Sequence, residues 1–236
     1  MHSPASRTVA TAFLALSTLI SAGDRLRAEE TVVASASVPV VWKLDSVASI
    51  GGQKPQVLGT PQVMDAAAGG PAIRFNGRSD GLILPLNPVA GWTKFTIEVL
   101  VRPDADGPQA QRFLHIADGR GSRILLETRT AEGRSWILDA FLRCGKDHRT
   151  LRNRARRHPA EKWAWVALVY DGNQMTDYVN GVRELDGRVA FPSMATGTIS
   201  LGMRLNRIFW FKGCLKEVRF HPTALAPEAL QHATEK

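Results

Sequence analysis

Charged side chains recur at alternate positions along several β-prone runs of this 236-residue chain, and the alternation decides which of them can act together. Between residues 95 and 102, Phe95, Ile97, Val99 and Val101 take one face, leaving Thr96, Glu98, Leu100 and Arg102 on the other. From 122 to 129, Arg123, Leu125, Glu127 and Arg129 oppose Ile124, Leu126 and Thr128. His115 faces away from Leu114 and Ile116, Asp139 shares a face with Ile137 and Phe141, and Arg204 and Asn206 alternate with Met203 and Leu205. If these strands lie in one sheet, Glu98, Arg102, His115, Arg123, Glu127, Arg129, Asp139, Arg204 and Asn206 share one outer surface. Arginine forks and carboxylates so placed address hydroxyl, carboxylate or sulfate groups. The same residues also make ordinary cross-strand ion pairs on a solvated sheet.

Aromatic residues offer a second kind of contact, because an exposed ring buries the apolar C–H face of a sugar. Trp210, between Phe209 and Phe211, is the candidate platform; a packed core tryptophan is the alternative. Trp163 and Trp165 alternate on one run, which places at least one of them in the core. Asp118, Asp171 and Asp177 read as loop or edge acids that a calcium ion can use, although Asp-Gly is ordinarily just a turn. No Cys/His spacing matches a structural zinc site, and no Ser-His-Asp constellation, phosphate loop or nucleotide fingerprint appears.

The elements that must carry these groups are strands. Short β-prone runs occupy 40–44, 72–75, 82–84, 95–102, 112–117, 122–129 and 136–142, separated by Gly-Gly, Asn-Gly, Pro-Asp and Asp-Gly turns. Asn180-Gly181 is the two-residue hairpin dipeptide. One short helix is expected over Pro227 to Ala233. This spacing is that of an all-β sandwich.

Residues 1–28 read as a secretory signal: a short polar region from His2 to Arg7 with one arginine, an apolar stretch from Thr8 to Ala22 and a small residue at Ala28. That stretch forms the signal helix and is shorter than a bilayer span, with an uncleaved anchor as the alternative. Residues 29–40 are a lead-in, and 41–232 the folded domain. Export, to the outside or to the periplasm and cell envelope, fits two cysteines, Cys144 and Cys214, which either pair or stay as buried thiols. The formal charge is +8, and residues 143–162 alone carry +6. The basic run from Arg143 to Arg157 reads as a protruding loop suited to an anionic surface, with salt-sensitive binding. Nucleic acid is excluded as partner by export and by the lack of aromatics among those arginines.

Taken in order, Val41-Trp42-Lys43-Leu44-Asp45, Ala72 to Gly77 with Asp80-Gly81-Leu82, Phe95 to Val99 with Arg102-Pro103, Trp163 to Gly172, the Asn180-Gly181 hairpin, and Phe211-Lys212-Gly213 with Glu217 to Phe220 form a pattern. It resembles a laminin-G-like jelly roll of the concanavalin A-like lectin/glucanase superfamily. The resemblance implies a two-sheet antiparallel jelly-roll sandwich, with ligand contacts on a concave sheet or its rim loops. It implies a non-catalytic module binding carbohydrate, including acidic glycan, or an extracellular protein. The family's hydrolase signature, a glutamate, an aspartate two residues on and a glutamate three beyond, is absent: Glu184-Leu185-Asp186 is followed by Val189. A glycan hydrolase or lyase would have to use another pair, Glu98 and Glu127, with His115 as proton carrier. A purely structural interaction domain is the remaining alternative.

Overall fold

The computed structural model describes residues 38–65 and 70–233, so the signal segment and most of the lead-in lie outside the described residues. In chain order the strands are β1 (Val40–Lys43), β2 (Gln56–Leu58), β3 (Gln62–Asp65), β4 (Pro71–Asn76), β5 (Gly81–Leu84), β6 (Phe95–Pro103), β7 (Ala110–Ala117) and β8 (Arg123–Ala131). They continue with β9 (Ser135–Cys144), β10 (Asp147–Arg152), β11 (His158–Pro159), β12 (Ala164–Tyr170), β13 (Gln174–Val179), β14 (Val182–Arg188), β15 (Thr198–Leu201) and β16 (Lys212–His221). The first sheet runs β14-β13-β12-β6-β16-β4-β3, with β1 also on β16; the second runs β10-β9-β8-β7-β15-β5-β2, with β11 on β9. The strand pairs within both sheets are antiparallel. Two such sheets face to face make the expected jelly-roll sandwich.

Alternation drives the packing. Phe95, Ile97, Val99 and Val101 of β6 and Ile124 and Leu126 of β8 are fully buried between the sheets, each worth about 1.5–3 kcal/mol of transfer free energy. Phe95, Tyr170 and Phe191 pack ring to ring, and the Tyr170 hydroxyl donates to Val189 O while accepting from the Phe191 N–H. At the other end Phe75, Phe113 and Phe211 meet. There Gln111 of β7 ties the sheets together, its Oε1 accepting from the Lys212 N–H of β16 at 2.8 Å.

The Asn180-Gly181 turn joins β13 to β14 as expected, with φ of 48° and 71°, the left-handed pair that a tight hairpin requires. The first sheet's outer face is partly roofed. After β16 the chain folds back so that Leu230 packs on Ala167, Val169 and Tyr178.

Several expectations need correction. The helix over Pro227 to Ala233 is a 3-10 turn at Pro227–Ala229, too short to bury a side of its own. The basic run is no protruding loop: Gly145-Lys146 turns the chain and β10 pairs with β9, burying Leu151 while its arginines stay at the sheet edge, where charge discourages edge-to-edge association. Trp163 and Trp165 both face outward, Trp165 beneath the Arg219 guanidinium, and the fully buried core tryptophan is Trp136. Cys144 lies on the second sheet and Cys214 on the first, and both are free thiols. Asp177 is a buried strand residue that accepts the Leu185 N–H, while Asp118 and Asp171 cap turns by accepting backbone N–H groups. Among the described residues no three His, Cys, Asp or Glu side chains are grouped to hold a metal, and no helix is long and apolar enough to cross a membrane.

Candidate functional site

Three neighbouring strands of the second sheet, β7, β8 and β9, present their outer faces side by side. Register sets Glu127 between Arg112 and Asp139, Leu125 between His115 and Phe141, and Arg123 beside Arg143. A β-bulge between Arg112 and Leu114 is decisive here. It turns both Phe113 and Leu114 into the core, so Arg112 and His115, three residues apart, emerge on the same outer face.

Beyond β15 the chain turns at Gly202, whose φ is 80° and where a Cβ would lie 2.2 Å from the Phe75 ring. Only glycine fits. The loop 203–210 then lies over β7. Its Leu205 N–H donates to His115 Nδ1 at 3.0 Å, and Phe209 O accepts the Arg112 N–H at 2.9 Å. The Arg112 guanidinium sits 3.6 Å above the Phe209 ring centre. Arg207 and Phe209 both hold left-handed φ, of 61° and 56°, a strained geometry of the kind that concentrates at ligand sites. The loop leaves Ile208 and Phe209 exposed.

The hydrogen-bond inventory of this face is incomplete. Because His115 Nδ1 accepts, its proton sits on Nε2, which is buried and has no acceptor. Burial, reinforced by Arg204, Arg123 and Arg112, pushes the imidazole down to about 3 and keeps it neutral. Arg112 Nη1, Arg123 Nε and Glu127 Oε2 are likewise buried without partners. Arg112 Nε lies 2.8 Å from Glu127 Oε1, a close ion contact that lacks hydrogen-bond alignment. Burial lifts the Glu127 carboxyl to about 7; Asp139 adds to the rise and Arg112 and Arg129 oppose it. Asp139 is better served, with Arg129 Nε at 2.5 Å and Arg152 at 3.5 Å. For Arg123, burial and then repulsion from Arg204 and Arg143 lower its hold on the proton. Native proteins leave few buried polar groups unpaired, and several of them gather on this one face.

The expected single surface is therefore two. His115, Arg123, Glu127, Arg129 and Asp139 converge on the second sheet, with Arg204 at the base of the loop, Asn206 at its exposed tip and Trp210 half-buried at its end. Glu98 and Arg102 do not join them, because β6 pairs with β12 and β16 in the first sheet. Glu98 is fully buried and satisfied: His221 Nε2 lies 2.9 Å away and the Gln231 N–H donates at 2.7 Å. Glu98 and Glu127 project from opposite outer faces and cannot flank one scissile bond. Sequence reading missed Arg112, hidden by the bulge, and chose Trp210 where Phe209 is the exposed ring. The signal for Phe209 was its place beside Trp210 in a run of three aromatics.

Solved structures share this architecture. Domain 4 of an extracellular GH43 arabinanase from Geobacillus stearothermophilus, solved with arabinotriose, superposes with a TM-score of 0.62 at 22% identity, covering 80% of this chain and 94% of that one. The IT-sialidase CBM40 of Ruminococcus gnavus, bound to alpha2,3 sialyllactose, gives 0.54 at 16% identity, covering 67% and 94%. The receptor-binding domain of botulinum neurotoxin D gives 0.61 at 13% identity, covering 80% of this chain and 50% of that one, so the chain spans half of its length. At these identities the likeness is one of fold, shared with binding domains. No curated protein sequence matches the chain. A laminin G family model, described as concanavalin A-like lectin/glucanases superfamily, matches residues 76–231, and with a jelly roll of the same kind around them the chain belongs to that superfamily.

Proposed function

We propose that the protein is an exported, non-catalytic module that binds an acidic glycan across the outer face of its second sheet. The observation that carries this reading is the set of buried, unpartnered groups on that face: His115 Nε2, Arg112 Nη1, Arg123 Nε and Glu127 Oε2. Arginine forks suit carboxylate or sulfate, while Glu127 Oε2 accepts from hydroxyls. The half-exposed Phe209 ring offers a surface for the apolar side of a sugar. Neighbours of the same fold that hold arabinotriose and sialyllactose support a carbohydrate ligand. Export rests on the signal anatomy of residues 1–28, and N-terminal sequencing of the secreted product, expected to begin at residue 29, tests it.

A glycan array with neutral and acidic members decides the ligand class. Acidic glycans are expected to bind, and Arg123→Ala and Glu127→Ala to weaken them. Retention of binding by both variants would remove this face from the reading. A protein partner is the second reading, favoured by the exposed Ile208 and Phe209 at the loop tip. It predicts no glycan binding at all. Release of reducing sugar from a polysaccharide would point to catalysis instead.

A further inference from the structure

On the opposite sheet a separate cavity of about 550 Å³ opens beside Arg102, large enough for a single sugar ring. Arg74, Cys214 and Arg102 form one row across β4, β16 and β6, at the end of the outer face away from the Leu230 roof. The cavity's other cations are each matched to a carboxylate. Arg74 pairs with Asp104 at 2.6 Å and Lys212 with Asp106 at 2.5 Å. Arg134 pairs with Glu161 at 2.5 Å. Four cations face three carboxylates, leaving one positive charge.

That charge is Arg102. It has no carboxylate partner among the described residues; its Nη2 has only the weak Cys214 Sγ acceptor at 3.5 Å, and its Nε is buried with none. The guanidinium lies 5.5 Å from the centre of the Trp163 ring, which holds it in place. The rim is also strained. Arg134 and Glu161, which pair across it, both adopt left-handed φ, of 54° and 64°, where non-glycine residues are rarely found. The Glu161 N–H donates to Pro103 O and the Ala160 N–H to Arg134 O, so the backbone is pinned in this form.

We propose that this cavity is a second ligand site, which takes one sugar residue bearing one carboxylate. The carboxylate pairs with the Arg102 fork, and the ring hydroxyls donate to Asp104 and Glu161. Arginine's planar donors match a carboxylate, and a single negative charge balances the single unpaired cation. The site is independent of the reading of the second sheet, which is tested at Arg123 and Glu127.

The test is a titration of ¹⁵N-labelled protein with methyl β-D-glucuronide and methyl β-D-glucoside, following the Trp163 indole N–H, assigned through Trp163→Phe. The glucuronide is expected to give a saturable shift and the glucoside to bind about tenfold or more weakly. Arg102→Gln loses the preference, and Arg102→Lys, which keeps the charge without the fork, weakens glucuronide binding. Lys54→Gln, an exposed charge outside both sites, leaves it unchanged. Equal binding of the two glycosides, no saturable shift with either, or full glucuronide binding by an Arg102→Gln variant whose spectrum remains that of the folded protein overturns the proposal.

Discussion

Glu98 and Glu127 are both almost wholly buried on outward-facing strand positions, yet they live in opposite conditions. Glu98, on the first sheet, has His221 at the end of β16 beside it, and the chain that returns over that face supplies the Gln231 N–H that donates to it. Glu127, on the second, has an unaligned arginine on one oxygen and no hydrogen bond on the other, where Arg129 Nη2 stands 3.7 Å away, and its carboxyl is lifted to about 7. The difference lies in what covers the residue and not in the residue. A roof completes a polar group's hydrogen bonds, and an open face leaves them for something else to complete.

Removing the roof is the strongest way to break this contrast. Leu230→Ala strips the anchor from Ala167, Val169 and Tyr178, and is expected to cost about 2–5 kcal/mol in denaturant unfolding. Glu98→Ala comes next: it takes the acceptor from the part-buried Gln231 N–H and the partner from His221 Nε2, a loss of about 1–3 kcal/mol.

Glu127→Gln sharpens the contrast with an effect of order 1 kcal/mol that appears as a pH dependence. A carboxyl raised from 4.5 to about 7 binds protons more tightly folded than unfolded, so its contribution is fully present below 4.5 and declines as pH rises through 7. The variant should therefore lose less stability than the wild type between those pH values, and parallel curves would show that Glu127 titrates normally. Asp177, also lifted to about 7 chiefly by burial, imposes the same trend on both proteins and cancels in the comparison. Arg112→Lys is the mildest change. Losing the planar stack on Phe209 is expected to cost about 0.5–1 kcal/mol, read as a small drop in Tm.

Local pattern carried most of the architecture. Alternation in 95–102 and 122–129 separates core from outer face correctly, and Asn180-Gly181 marks a real hairpin. What alternation cannot carry is partnership between distant segments. Glu98 stands opposite Arg219, far along the chain, and nothing local assigns β6 to the sheet that lacks β8. The bulge at Phe113 was hidden for a related reason: it slips the alternation by one residue in a strand whose neighbours on both sides still look regular. In the basic run, numerous arginines obscured a single buried position, Leu151, that reveals a strand.

Gln111 gives the two proposed sites a shared point of support. It is the residue before Arg112 on the open face, and its side chain holds the backbone of Lys212 at the cavity's edge. One hydrogen bond and one peptide link thus connect the two regions across the seam of the sandwich. A change at the Gln111 side chain therefore reaches the backbone beside both proposed sites at once.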